Sequence, residues 1–159
     1  MNDRLKDKLV GERARFEVIP HREAFTAQER AAACQITGQR VAKVVVVRDD
    51  EVSPGHAWFA LAVLPAASRL DLPQLRSLTG RPHLTLARES EFPALFPDCA
   101  PGAMSPFGGL YGLGVYMDRA LATEPDLVFE GGTHREEVRM PTAEFLRLER
   151  PVVASLRAA

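Results

Sequence analysis

A chain of 159 residues with 46% hydrophobic and 26% charged residues fits one domain, expected over 1–159, large enough to bury a core without a metal or a disulfide. No apolar run reaches the roughly 18 residues a membrane span needs, and the opening MNDRLKDKLVGERARFEV is charged where a signal peptide would be apolar, so a cytoplasmic protein without a membrane partner is expected. The net charge of −1 argues against a broad cationic face for nucleic acid and leaves only a local patch.

In chain order, NDRLKDKL carries Leu5 and Leu9 at helical spacing and predicts a short amphipathic helix. RFEVIPH follows as a strand with Phe16 and Val18 on one side. TAQERAAACQI opens with Thr26 and has Glu29 three residues later, a capping box leading into an Ala-rich helix. RVAKVVVVRDDE holds four consecutive valines and predicts a strand buried on both faces. DDEVSPG supplies turn residues before the apolar run HAWFALAVLP, and the two runs predict an antiparallel hairpin in the core. DLPQLRSLTG predicts a helix capped by Asp71 and stopped by Gly80; HLTLA predicts a strand, and ESEFPALF a helix ended by Pro97. A strand is expected around Val115, then DLVFEGG and EEVRMP as two strands about the turn GGTHR. TAEFLRLERPVVASL is expected to be a closing helix that Pro151 bends or breaks. This order predicts a mixed α+β domain, one curved sheet with helices around it.

Several chemistries are excluded by spacing. GGLYGLG does not match GxGxxG, and no GK[ST] follows a glycine-rich loop, so a nucleotide site is unsupported. His134–Glu136 supplies an HxE but no PCxxC accompanies it, and there is no GxSxG elbow. Cys34 and Cys99 lie 65 positions apart without a CxxC partner and read as buried or incidental thiols; no metal and no cofactor are expected.

Three features remain. Lys43, the only lysine after residue 8, begins the valine strand, where its ammonium either meets an anion at the rim of the core or snorkels into water. Gly102–Pro106, GAMSP, is either a plain turn or a rigid loop that presents backbone N–H groups to a carbonyl oxygen. His134, in a turn after two glycines, is either incidental or a proton carrier near neutral pH.

In this order, a lysine at a strand start, Gly-x-x-x-Pro leading into Phe-Gly, and Gly-Thr-His before a final strand, the chain resembles the YbaK/ProX family of aminoacyl-tRNA deacylases. That family includes the editing domain inserted in many bacterial prolyl-tRNA synthetases. The similarity runs from about Phe16 to Leu148 and is carried by the blocks TAQERAAACQITGQRVAKVVVV, LAVLPAASRLDLPQLRSL, LFPDCAPGAMSPFGGLYGLGVYMDRAL and FEGGTHREEVRMPTAEFLRL. The resemblance implies a single mixed, strongly curved sheet, a distorted barrel with surrounding helices. It also implies hydrolysis of the ester that joins a wrongly attached amino acid to tRNA, with Ala- or Cys-charged proline tRNA as the type of substrate. Lys43, Gly102 and His134 fall at the family's catalytic positions, and Ala103, Met104, Ser105, Pro106 and Phe107 fall in its substrate loop. Val44 departs from the polar residue that several relatives carry after the lysine. The expected partners are the aminoacyl-tRNA acceptor end and, as a candidate, prolyl-tRNA synthetase, with no DNA. In the expected mechanism the Gly102 backbone polarises the ester carbonyl, Lys43 fixes the terminal nucleotide and a water attacks, with the vicinal ribose hydroxyl or His134 as base. The alternative is a noncatalytic module of the same fold that holds an aminoacyl end or a synthetase.

Overall fold

The computed structural model describes residues 1–53 and 56–159. Helix α1 (Asp3–Gly11) starts where the Asn2 side chain accepts from Leu5 N–H, and it buries Leu5 and Leu9. After strand β1 (Glu17–Pro20), the Thr26–Glu29 capping box is present in full and starts α2 (Ala27–Cys34). The valine run forms β2 (Ala42–Ser53) and pairs antiparallel with β3 (His56–Pro65), Val46 opposite Leu61 and Val47 opposite Ala60. The hairpin predicted from the two runs is there; Pro54 and Gly55 of its expected turn lie outside the described residues. Asp71 accepts from Gln74 N–H to start α3 (Leu72–Thr79), and Gly80, at φ +67°, ends it. HLTLA contributes only β4 (Thr85–Leu86), and ESEFPALF is a 3₁₀ turn running into the single-turn α4 (Phe92–Leu95). Beyond the glycine-rich stretch come β5 (Gly114–Asp118), the short α5 (Arg119–Ala122), β6 (Asp126–Glu130), β7 (Glu136–Pro141), α6 (Thr142–Glu149) and β8 (Val152–Ala154).

The expectation of one strongly curved sheet closing toward a barrel is corrected. The described strands form two sheets, β1-β7-β6 and the mixed β4-β2-β3-β5-β8, and neither closes on itself. A single parallel bridge, Val41 to Val128, with Val128 N–H donating to Arg40 O at 3.0 Å, joins β2 to β6. Between the sheets lies the main core. Val46, Leu61, Val63 and Met117 come from one sheet and Leu127, Phe129, Val138 and Met140 from the other, with Phe107 and Phe145 closing it. Burying each such side chain stabilises the fold by about 1.5–3 kcal/mol relative to leaving it exposed. A second cluster, with Val47, Ala60, Ala62, Leu64 and Leu75, covers the far face of the five-stranded sheet.

The closing helix is present and breaks before Pro151 as expected, but the residues beyond the break form a strand. Arg150 takes a left-handed conformation, φ 52°, and Pro151 cannot continue the helix, so Val152–Ala154 leaves α6 and pairs parallel with β5. Gly108 explains how the glycine-rich exit passes the sheet: a Cβ there would lie 2.8 Å from Val115 Cγ2 and 2.9 Å from Leu113 O.

Candidate active site

Strand alternation sends Leu127 and Phe129 of β6 into the core and Val128 and Glu130 to the opposite face, where α2 packs. On β7 the same alternation puts Glu137 on that face, directly opposite Glu130 in the register. Two carboxylates facing each other across strands repel, and both are buried, Glu137 completely. Arg30 of α2, itself buried, is set between them. Its Nη1 reaches both Glu137 oxygens at 3.2 Å, its Nε lies 3.4 Å from Glu130 Oε1, and its Nη2 donates to Ala42 O at 3.2 Å. His21 Nε2 approaches Glu137 Oε1 at 3.4 Å but is misaligned for a hydrogen bond.

The turn between β6 and β7 carries His134 back over this cluster. Its Nδ1 lies 2.8 Å from Glu130 Oε2 and its Nε2 lies 2.8 Å from Pro101 O. The carbonyl only accepts, so Nε2 carries a hydrogen; Nδ1 and a carboxylate oxygen can approach that closely only with one proton between them. Burial pushes the Glu130 carboxyl up to about 7, against the pull of Arg30, with Glu137 adding to the rise. The pair therefore holds a shared proton near neutrality.

Through Pro101 the imidazole grips the GxxxP loop. Gly102, at φ +82°, turns the chain over His134, and a Cβ there would sit 3.9 Å from His134 Cε1. Ala103 O accepts from Gly132 N–H at 2.8 Å, and Ala100 N–H donates to Gly132 O at 2.9 Å, which ties the loop to the β6–β7 turn on both sides. Among the described residues nothing accepts from the N–H groups of Gly102, Met104 and Ser105. Such a loop can hold a carbonyl oxygen with backbone donors.

The other sequence-predicted residues divide. Lys43 stands two residues beyond the Val41–Val128 bridge, as Glu130 does on β6, so both side chains leave the same side of the joined backbone, where the sheets part. No ion pair ties down the Lys43 ammonium among the described residues; burial, then Arg69, lowers its pKa. The buried Ser105 hydroxyl accepts from Phe107 N–H at 3.4 Å and so stiffens the loop. Pro106 closes the same buried turn, its carbonyl accepting from Gly108 N–H at 3.0 Å. Phe107 does not reach the site: its ring is wholly buried, edge-on to Phe129 and Phe145. Ala103 is likewise buried, while Met104 lines an apolar cavity of about 230 Å³ with Phe92, Phe96, Cys99 and Pro101. Burial raises the Cys34 thiol to about 11 and also lifts Cys99, so neither is a ready nucleophile. Among the described residues no group of His, Cys, Asp and Glu is arranged to hold a metal ion.

Glu130, Glu137, Arg30 and His21 were not singled out from sequence. The available signal was an acid at an inward-facing position of each strand flanking GGTHR, with an arginine one turn into an alanine-rich helix.

The aminoacyl-tRNA editing domain family matches residues 21–148. No curated protein matches the chain. Among solved structures, a hypothetical protein, APE2540, superposes with a TM-score of 0.86 over 98% of this chain and 100% of its own, at 19% identity, a likeness of fold. A candidate trans-editing enzyme for prolyl tRNA synthetase superposes with a TM-score of 0.79 at 27% identity, over 98% of this chain and 96% of its own. A scaffold protein used for computational grafting of epitope backbones gives 0.79 at 26% identity, with the same 98% and 96% coverage.

Proposed function

The chain belongs to the aminoacyl-tRNA editing domain family, and on that premise we propose that it is a trans-editing deacylase that hydrolyses the ester of a mischarged tRNA, of the Ala- or Cys-charged proline type. The observation that carries this reading is the GxxxP loop, gripped by His134 through Pro101 O and with three backbone donors unpaired among the described residues. A water adds to the ester carbonyl, the Gly102–Ser105 backbone takes the developing oxyanion, and the ribose 3′-oxygen leaves with a proton, releasing the free amino acid. Both His134 nitrogens are engaged, Nδ1 on Glu130 and Nε2 on Pro101 O, which favours the vicinal ribose hydroxyl as the group that orients the water and relays its proton. Lys43 supplies a mobile cation for the terminal phosphate. The apolar cavity beside Met104 offers a place for the amino-acid side chain of the ester. A prolyl-tRNA synthetase would add tRNA affinity that a chain of net charge −1 lacks.

The test is release of amino acid from proline tRNA charged with Ala, Cys, Ser or Pro. The expected result is hydrolysis of one or more of the small noncognate esters, sparing Pro, and a loss of about 10- to 100-fold in kcat/KM for Lys43→Ala, the worth of one charge-assisted hydrogen bond. Binding without release of any amino acid would instead identify a noncatalytic module.

A further inference from the structure

Phe25 is an exposed aromatic with no core to join. It occupies the position before the N-cap of α2, where an apolar residue ordinarily folds back onto the first turn of the helix; the residue it would cover there is the buried Arg30. The ring turns instead to His134, centroid to centroid 4.8 Å at a tilt of 48°, and stays 62% exposed. Its backbone is held by two hydrogen bonds. Phe25 N–H donates to Glu29 Oε2 at 3.0 Å, and Ala24 N–H donates to His134 O at 3.0 Å. An open aromatic face on a hydrogen-bonded backbone therefore stands at the rim of the site, one ring away from the GxxxP loop.

We propose that Phe25 is a stacking platform for the unpaired purine at the end of the substrate, the base whose ribose carries the ester. This rests on the deacylase reading of the site for the identity of the ligand. A single-stranded nucleotide is recognised chiefly by stacking of its base on an aromatic side chain, and such a contact needs a face that is exposed, held in place and within a nucleotide's reach of the reacting ester. Phe25 meets these conditions through its exposure, its hydrogen-bonded backbone and its contact with His134.

The test is equilibrium binding of a non-hydrolysable amide, 3′-alanylamino-3′-deoxyadenosine, beside the same alanylamino ribose without a base. Phe25→Ala should weaken the adenosine compound at least fivefold, within the range reported for base–aromatic stacking, and leave the baseless compound unchanged. Phe25→Trp should bind the adenosine compound at least as tightly as the native protein. Equal weakening of both compounds would mean that Phe25 only orients His134 and would overturn the platform. No weakening in Phe25→Ala, or no binding by the native protein, would overturn it as well. Stacking with no turnover of charged tRNA would sink the deacylase reading and leave the platform standing.

Discussion

A proton has to lie between His134 and Glu130, because Nε2 already spends its hydrogen on Pro101 and the other ring nitrogen faces a carboxylate at 2.8 Å. Glu130 supplies it by being held up to about 7 through burial. The folded state binds this proton more tightly than the unfolded chain, whose carboxyl titrates near 4.5. The resulting stability is therefore full below 4.5 and is lost as pH rises through about 7. Glu130→Gln replaces the shared proton by an amide hydrogen that does not titrate. Thermal unfolding of the two proteins should show the native advantage shrinking between pH 4.5 and 7 and level above it. A difference constant across that range would remove Glu130 from the account. Nothing in GGTHREE shows that both imidazole nitrogens are occupied, since the second partner, Pro101, lies 33 positions away. From spacing alone the histidine reads as a candidate base; in the fold it bridges Glu130 and Pro101 O.

The elements were largely legible where local chemistry decides them. The capping residues Thr26 and Asp71 start their helices, and the valine run is a core strand. Legibility fails where a distant partner decides: Val152–Ala154 continues the apolar spacing of a helix, yet β5 offers an open edge that takes it as a strand. It fails again for Arg30, whose place in an alanine-rich helix looks like a solvated charge. Only the opposition of Glu130 and Glu137 across β6 and β7 makes α2 a lid bolted by an ion. Arg30→Met should therefore destabilise the protein by about 3–5 kcal/mol at pH 8, the cost of stranding buried charge. The loss should be smaller at pH 5, where the two carboxyls can protonate. Urea unfolding at the two pH values measures this, and equal losses at both would show that Arg30 contributes packing alone.

Across the whole molecule the site sits where two sheets part. The strand runs in the sequence do not distinguish one bent sheet from two, because the separation hangs on how few pairs join β2 to β6, and Val41 and Val128 look like any other core valines. The same bridge sets Lys43 and Glu130, 87 residues apart in the chain, at matching positions two residues beyond it. If catalysis comes from the loop backbone, no side chain can be deleted to remove it, and the loop's conformation is the handle. Single-turnover hydrolysis of Ala- or Cys-charged proline tRNA by the native protein and by Gly102→Ala tests this most directly. The added methyl meets only His134 at van der Waals distance but opposes the φ of +82° that aims the loop. Hydrolysis by the native protein with a loss of about 10-fold or more in Gly102→Ala, the fold retained, is the result predicted. Hydrolysis at the native rate in Gly102→Ala would contradict a backbone-built site.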